Sequence, residues 1–335
     1  MVGGGYFGRI QACAWHRIEE VDFVGIAESS SDRRRELESQ FPNIEVVADL
    51  QMLLRATDIH LIDVATPPAT HEGLILPLLG KVPTVICQKP ICKNIDAAQA
   101  LVEKAEASPT KLIIHENFRF MPWYRKIRQL IANEDLGDIR QACFRMRPGD
   151  GSGENAYLAR QPYFRTMERF LIHETGIHWI DVFRYLFGEP NTVYADLWQS
   201  NSTIKGEDSG IVIMTMNNRI RVTLDANRTL DHPAKNHRLT MGEFMVEGDK
   251  ASLFLDGQGN ITIRTFGSNS QTVVPYEFTD RDFGGDCVFH FQRHVVDHLM
   301  NGSALETLAR DYLQNMRIEE AAYQSSGAGC KIVLS

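Results

Sequence analysis

Lys89 stands at the end of a short apolar segment, Val85 to Cys87, and directly before Pro90. Such a segment, rich in β-branched residues, predicts a strand that is buried on both faces of a parallel sheet. Pro90 restricts the backbone of Lys89 toward extended conformations. Ligands bind at the carboxyl ends of parallel strands, so this ammonium group can donate a hydrogen bond to the oxygen of a bound alcohol or carbonyl. A surface lysine without a catalytic role is the competing interpretation.

A carboxylate and an imidazole, Glu174 and His178, lie four residues apart in a segment whose apolar pattern predicts a helix over 170–187 that ends at Gly188. Residues at this spacing share one face of an α-helix, so the carboxylate can orient the ring. A neutral imidazole, with a pKa near ~6.5, can accept the proton that an alcohol loses on oxidation. We therefore predict that His178 is a general base with Glu174 as its partner. A helix-surface pair without catalytic function is the alternative.

The same segment superficially resembles a zinc motif, because His173 precedes Glu174 and His178 follows. The two histidines are five residues apart, which is ~500° around an α-helix, so they do not share a ligand face. We therefore predict no metal site.

The chain opens on the segment Gly3 to Gly8, which fits the pattern G-x-G-x-x-G. The first glycine of that pattern permits a tight turn, the second lets the backbone approach a pyrophosphate, and the third lets the next helix pack closely. The helix N-terminus then faces the anion. An isolated match is as often an ordinary glycine-rich turn. The predicted dinucleotide site contains Gly3, Gly5, Tyr6, Phe7 and Gly8.

The acidic residue Glu28 follows the next predicted strand. It stands about 20 residues after the last glycine, where an acidic side chain accepts hydrogen bonds from the adenosine ribose hydroxyls and favours NAD over NADP. Ser29, Ser30 and the arginines at 33–35 lie just beyond and can instead hold a 2′-phosphate, so NADP stays open.

Residues 1–118 alternate strand-like and helix-like segments, which predicts a Rossmann-type, doubly wound parallel sheet. Only Met1 and Val2 precede the glycine turn, whereas a central strand needs about 5 residues. We therefore expect either a very short first strand or native residues before Met1. The predicted strands are 21–27, 59–65, 84–87 and 111–115, and the predicted helices are 8–18, 31–40, 71–80 and 95–106.

Residues 119–335 show a different pattern, in which many strands follow one another without intervening helices. This pattern predicts an α+β domain with a large, mostly antiparallel open sheet, which would bind substrate and mediate oligomerisation. The predicted strands are 139–147, 192–200, 209–217, 220–228, 237–247, 251–255, 260–266 and 271–278. The predicted helices are 122–136, 170–187, 288–301 and 306–326, with an irregular loop over 148–169.

The composition excludes several classes of protein. The 335 residues carry a formal net charge of −8, which argues against a nucleic-acid partner because such affinity depends on excess Lys and Arg. No apolar run approaches the ~18 residues of a membrane span, and the N-terminus lacks a signal-peptide pattern. None of the six cysteines forms a C-x-x-C pair, so we expect reduced thiols in a cytoplasmic protein.

An ordered set of motifs resembles the Gfo/Idh/MocA (glucose–fructose oxidoreductase / inositol dehydrogenase) family over essentially the whole chain. The set comprises the glycine turn, Thr66-Pro67 with His71, Gln88-Lys89-Pro90, Asn117-Phe118-Arg119, the segment Glu174 to Asp181 with His178, and Arg184 to Pro190. Two positions depart from the family pattern. Gln88 stands where Glu is usual, which removes a charge near Lys89, and Glu174 stands where Asp is usual.

The resemblance implies an NAD(P)-dependent oxidoreductase that transfers a hydride between nicotinamide and a secondary alcohol or carbonyl of a sugar, cyclitol or related polyol. It places Thr66, Pro67, His71, Gln88 and Lys89 at the cofactor. We name Arg119, Tyr163, Arg165 and His237, with Asn227 and Arg228, as lesser candidates around the substrate.

We also expect an oligomer, and two alternative functions remain open. A homodimer or homotetramer would cover the broad face of the second-domain sheet. The alternatives are a non-catalytic NAD(P)-binding regulator on the same fold, and a relative that uses bound NAD to assist glycoside cleavage.

Overall fold

The structure, a computed structural model, describes residues 1–55 and 58–334. The chain divides into two compact units. The first unit contains Met1–Asn117 and Val288–Met316, and the second contains Phe118–Cys287 and the C-terminal segment from Arg317.

The first unit is built on parallel strands. They are β1 Gly25–Ala27, β2 Glu45–Val47, β3 Leu61–Val64, β4 Thr84–Gln88 and β5 Lys111–His115. β2 pairs with β1, and β4 pairs with both β3 and β5, each time in parallel. The predicted parallel sheet is therefore confirmed. β2 was not predicted, and of the strand predicted over 21–27 only β1 forms.

Val2 completes this sheet at its centre. It forms parallel bridges to Ala27 of β1 and to Val64 of β3, and its amide donates to the Asp63 carbonyl at 2.8 Å. In the described residues this position of the sheet is occupied by Val2 alone. One bridged residue is nevertheless enough to direct the glycine turn out of the carboxyl edge of the sheet.

Several helices of the first unit start at a side-chain cap. The helices before residue 118 are α1 Tyr6–Trp15, α2 Ser31–Gln40, α3 Leu50–Leu53, α4 Pro68–Ile75 and α5 Ile95–Glu106. Asn94 caps α5 by accepting a hydrogen bond from the Ala97 amide. The buried residues of α5 follow the spacing of one helical face: Ala98, Leu101, Val102 and Ala105. α3 was not predicted, because four residues carry too short a pattern.

The second unit contains a sheet that has nine strands in the described part of the chain, in the order β13-β12-β11-β10-β6-β9-β8-β7-β14. All neighbours are antiparallel except β6 and β9, so the predicted large, mostly antiparallel sheet is confirmed. The strands are β6 Ile139–Met146, β7 Pro190–Trp198, β8 Ser209–Met216, β9 Arg221–Asn227, β10 Gly242–Gly248, β11 Ala251–Leu255, β12 Ile261–Thr265, β13 Thr272–Val274 and β14 Ile332–Val333.

The helices of the second unit include a π-helix that the sequence pattern did not reveal. α6 spans Pro122–Ala132, and the segment predicted as one helix over 170–187 consists of a π-helix, Leu171–Gly176, followed by α7, Ile177–Phe187. Gly188 ends α7 with φ 86°, as its position predicts. The Glu207 carboxylate accepts from the amides of Phe170 and Ile172, so distant groups satisfy the start of the π-helix.

Two long helices close the chain, α8 Cys287–Asn301 and α9 Ala309–Ala328. The predicted second domain was a continuous 119–335, whereas the structure assigns 288–316 to the first unit. Contacts of α8 explain the difference, since Gln292 donates to the Gln11 carbonyl of α1 and Arg293 pairs with Glu20. Among the described helices, none has both the length and the hydropathy needed to cross a membrane.

Candidate active site

The three motif glycines occupy three different environments. Gly3 has φ 97°, and a Cβ there would lie 2.8 Å from the Ala65 carbonyl oxygen. A Cβ on Gly8 would collide with the carbonyl oxygen of Gly3, whereas no described atom lies within 4 Å of a Cβ built on Gly5. Gly3 and Gly8 are therefore needed for the turn itself, and the Gly5 side of the turn faces open space.

Helix α1, which follows the turn, is fixed to β3 through Asp63. The buried Asp63 carboxylate accepts hydrogen bonds from Gln11 at 2.9 Å and from the Trp15 indole at 2.7 Å. Burial raises the pKa of this carboxyl above its ordinary value, against the effect of those hydrogen bonds. The N-cap of α1 is Gly5, and among the described residues no side chain caps this helix. Its first amides are thus directed toward the open side of the turn.

Glu28 contacts the turn directly. Its buried carboxylate accepts from the Gly4 amide at 2.7 Å and from the Ser30 amide at 2.8 Å. Arg34 is one of the basic residues named above as an alternative site for a 2′-phosphate. It donates to the Glu28 and Ser29 carbonyls at 2.9 and 2.8 Å. Glu28 therefore helps to shape the turn, a role that the sequence argument missed.

Lys89 leaves the carboxyl end of β4, as predicted, and is half-buried. β4 pairs with β3, and β3 flanks the bridged residue Val2 from which the glycine turn starts. Lys89 and the turn therefore leave the same edge of one parallel sheet. The side-chain oxygen of Gln88 accepts from the Lys89 amide at 2.8 Å. The uncharged amide thus orders the backbone at Lys89.

His71 connects the segments that follow β3 and β4. It is fully buried, with Nε2 2.7 Å from the Thr66 carbonyl and Nδ1 3.0 Å from the Ile91 carbonyl. Burial lowers the pKa of His71, which favours a neutral ring. His71 Nδ1 also lies 3.2 Å from the thiol of Cys87. Through its contact with the Thr66 carbonyl, His71 holds the Thr66-Pro67 turn in place.

In the second unit, the His178 ring is held by an aromatic neighbour. It stacks on Phe118 with ring centroids 3.9 Å apart and planes 5° from parallel, and the residue is 6% exposed. This packing fixes the plane of the imidazole. Phe118 belongs to the Asn117-Phe118-Arg119 motif, so the motif supports the predicted base.

Glu174 lies within the π-helix, whose i→i+5 pattern differs from that of an α-helix. The arguments about Glu174 with His178, and about His173 with His178, both assumed an α-helix. That assumption was wrong for Leu171–Gly176, and the pairing of Glu174 with His178 stays a prediction. One partner of Glu174 is Thr175, whose hydroxyl donates to Oε2 at 2.6 Å. His173 Nδ1 lies 2.6 Å from Glu319. Over the described residues, no cluster of His, Cys, Asp or Glu is arranged to hold a metal.

The lesser candidates separate into different environments. Arg119 forms a two-point ion pair with Asp181 at 2.6 and 2.7 Å. Partial burial and the negative charge of Glu174 both raise the pKa of Tyr163. Arg165 Nε donates to the Thr203 carbonyl at 3.4 Å. The ring centroids of His237 and His232 lie 5.3 Å apart. The structure thus relates Tyr163 to Glu174, a predicted catalytic residue.

Arg228, at the end of β9, is the centre of a buried network. Its Nη2 donates to Asp150 at 2.8 Å, and its Nε donates to the Tyr157 hydroxyl at 2.7 Å. Burial alone would raise the pKa of Asp150, but the charge and hydrogen bonds of Arg228 hold it below its ordinary value. The pair ties the loop that contains Asp150 to the sheet.

This ion pair predicts a dependence of stability on pH. Because the pKa of Asp150 is lower in the folded than in the unfolded protein, its contribution is present above the unfolded value, about 3.9. The contribution is lost as the pH falls through the folded value. We expect the stability advantage of the wild type over Asp150→Asn to shrink below about pH 4, as measured by urea unfolding at a series of pH values. An advantage that stays constant down to acid pH would contradict this assignment.

The first unit also contains a cavity of about 420 Å³. It is lined by Lys111, His298 and Arg310 among others, and by none of the predicted site residues. Lys111 begins β5, whereas the glycine turn and Lys89 lie beyond the carboxyl ends of the strands. The cavity is therefore separate from the candidate site.

Comparisons with known proteins identify the family. Residues 1–116 match the family model for the oxidoreductase family, NAD-binding Rossmann fold (GFO_IDH_MocA), and residues 124–254 match the GFO/IDH/MocA C-terminal domain. The chain belongs to this family. Its first unit accordingly contains an NAD-binding Rossmann domain, and the protein is an oxidoreductase of this NAD-binding family.

Individual relatives agree with this assignment. D-apiose dehydrogenase from Paraburkholderia graminis is 26% identical over 100% of this chain and 88% of that protein. D-apiose dehydrogenase from Rhizobium rhizogenes is 26% identical over 98% of this chain and 95% of that protein. These relatives are dehydrogenases and give no support to a non-catalytic regulator or a glycoside-cleaving enzyme.

A solved structure shows the same fold. It is an oxidoreductase from Agrobacterium radiobacter in complex with NAD+, L-tartaric acid and magnesium, with a TM-score of 0.88 and 24% identity over 99% of this chain and 96% of that chain.

The residues around the glycine turn fit NAD. The open side of Gly5 leaves room for a pyrophosphate, and the uncapped start of α1 supplies amide donors for it. Glu28 and the Thr66-Pro67 turn flank the same edge of the sheet. Bound NAD would supply the hydride acceptor or donor at that edge.

The contrast between Gly5 and Gly8 gives a testable prediction. Gly8→Ala places a methyl group against backbone, and we expect a loss of about 1–3 kcal/mol of folding free energy. Gly5→Ala meets no described atom within 4 Å, so its melting temperature should match the wild type. Its NAD affinity should fall roughly tenfold or more, which is about 1.4 kcal/mol, because the methyl group occupies the side reserved for the pyrophosphate. Calorimetric titration and thermal unfolding measure both quantities, and unchanged NAD affinity in Gly5→Ala would refute the assigned role.

Proposed function

We propose that the protein oxidises a secondary hydroxyl group of a pentose or a related sugar or polyol, or reduces the corresponding carbonyl. The observation that carries the proposal is the position of Lys89 at the carboxyl end of β4, on the same sheet edge as the glycine turn. The similarity to two D-apiose dehydrogenases along nearly the whole chain supports a pentose as substrate.

Each candidate residue has a distinct role in this proposal. Lys89 donates a hydrogen bond to the reacting oxygen and stabilises the charge that develops there. His178, held in one plane by Phe118, accepts the proton of the substrate hydroxyl during oxidation and returns it during reduction. Glu174 orients the substrate or the base through its carboxylate. Tyr163 contacts the substrate on the Glu174 side.

We further propose NAD rather than NADP as the physiological cofactor. The buried Glu28 carboxylate beside the Gly4 amide would repel a 2′-phosphate, and Arg34 is already engaged with backbone carbonyls. Steady-state assays with NAD and with NADP test this proposal. A higher kcat/KM with NADP would contradict it.

We also propose that the protein forms a homodimer or homotetramer and is located in the cytoplasm. Trp198 of β7 is 42% exposed and Ile211 of β8 is 36% exposed, and apolar groups on one sheet face favour coverage by a second copy. The six cysteines are free, which suits a reducing compartment. Sedimentation that shows only monomer would exclude the assembly, and fractionation that finds the protein outside the cytoplasm would exclude the location.

The proposed function is tested with a panel of sugars. Purified protein is incubated with NAD and, separately, with D-apiose, other pentoses, inositols and sugar acids, and the formation of NADH is followed. We expect turnover with at least one pentose or polyol and little or none with simple alcohols. NAD binding without turnover of any member would reject the proposal.

A further inference from the structure

The guanidinium of Arg228 makes one contact that anchoring the loop does not require. The Nη2 and Nε nitrogens already serve Asp150 and Tyr157, yet Nη1 turns toward the π-helix and donates to the Thr175 hydroxyl at 2.5 Å. Arg228 and Thr175 are both almost fully buried, at 2% and 3% exposure. The contact therefore forms in a setting where water competes little.

The chemistry of the two groups fixes the direction of the Thr175 hydroxyl. Arginine has no acceptor, so Thr175 must accept the hydrogen bond from Arg228 through a lone pair. The single hydroxyl hydrogen is then available for one acceptor, and Glu174 Oε2 lies 2.6 Å away. Arg228 therefore donates to Thr175, and Thr175 donates to Glu174. Glu174 only accepts in this series, which is the role of an ionised carboxylate.

The surroundings hold Arg228 in place and charged. The ring of Phe170 lies under the guanidinium, with its centroid 4.7 Å from the central carbon, and Asp150 balances the charge. The Arg228 amide donates to the Asp208 carbonyl at 3.0 Å. The donor of the series thus has little freedom to move.

We propose that Thr175 and Arg228 are positioning residues that fix the carboxylate of Glu174 for the reaction. The inference rests on the proposed function, which gives Glu174 a role in catalysis. It also accounts for glutamate instead of aspartate at this position. The glutamate side chain is one methylene longer, so it needs an additional contact to limit its rotamers.

The test compares two substitutions at Thr175 in two backgrounds. Thr175→Val keeps the shape of the side chain and removes the hydroxyl, whereas Thr175→Ser keeps the hydroxyl. Each is combined with wild-type Glu174 and with Glu174→Ala. We expect Thr175→Val to lower kcat roughly tenfold, the size of one hydrogen bond to a charged group, with a smaller change in KM. Thr175→Ser should restore most of the activity.

The double-mutant cycle separates positioning from a general structural role. If Thr175 acts through Glu174, Thr175→Val has no further effect once Glu174 is alanine. An equal loss of kcat in both backgrounds, or no loss in either, would overturn the proposal. Thermal unfolding of each variant shows whether folding has been affected.

A crystal structure of Thr175→Val gives a readout that does not depend on turnover. We expect the Glu174 carboxylate to leave its wild-type position, and an unmoved carboxylate would overturn the proposal. A protein that turns over no sugar of the panel, but whose Glu174 moves in the variant, would reject the proposed function and leave the positioning intact. The two failures are therefore distinguishable.

Discussion

Lys89→Met is expected to lower kcat/KM by about 10²–10³-fold, because it removes a donor aimed at the reacting oxygen. Methionine keeps the unbranched stem of the side chain and deletes only the charge and its hydrogen bonds. Lys89 is half-buried at the end of β4, where the Gln88 side chain accepts a hydrogen bond from the Lys89 amide and so orders the backbone. The melting temperature should therefore change little. Steady-state kinetics and thermal unfolding measure the two effects separately.

The first control for this substitution is a measurement of the NAD affinity of the variant. Lys89 is also predicted to contact the cofactor, so NAD affinity will fall, but by less than kcat/KM. A second control, Lys93→Met, removes a neighbouring positive charge just after the same strand. It should leave the kinetics unchanged. If Lys89→Met retained turnover, or if its loss were fully explained by weaker NAD binding, the assigned role would be wrong.

His178→Asn is expected to lower kcat by about 10²–10⁴-fold, the contribution of a positioned general base. The imidazole stacks on Phe118 at 3.9 Å and is almost fully buried, so its loss removes the proton acceptor and also a ring from a packed site. Some loss of stability is therefore expected as well. Activity must be compared at a temperature where both proteins are folded.

A companion substitution isolates the stacking. Phe118→Leu keeps an apolar side chain and removes the ring that holds the imidazole plane, so kcat should fall by less than in His178→Asn. Wild-type kcat in His178→Asn would exclude the base. Wild-type kcat in Phe118→Leu alone would show that the ring needs no such support.

Local patterns were sufficient to predict the features that depend on neighbouring residues. The apolar run before Lys89 predicted β4, and the parallel order of the sheet puts Lys89 and the glycine turn at the same edge. Gly188 predicted the end of α7. These predictions hold because strand burial and helix termination are decided by a few consecutive side chains.

Features that depend on distant partners could not be predicted in this way. The π-helix is stabilised by Glu207, which lies more than thirty residues further along the chain. The network of Arg228 joins Asp150 and Thr175, which are also distant in sequence, and Arg228 had been named only as a lesser candidate. Helix α8 joined the first unit through contacts with α1 that no local pattern encodes.

The most direct test of the central claim is cofactor reduction by a sugar. The protein is mixed with NAD and D-apiose or a related pentose, and NADH is quantified against the carbonyl product for wild type and Lys89→Met. The account predicts equal amounts of NADH and carbonyl product in the wild type, and a rate about 10²–10³-fold lower in the variant. Tight NAD binding without any NADH from the whole panel, or equal rates in the two proteins, would contradict it.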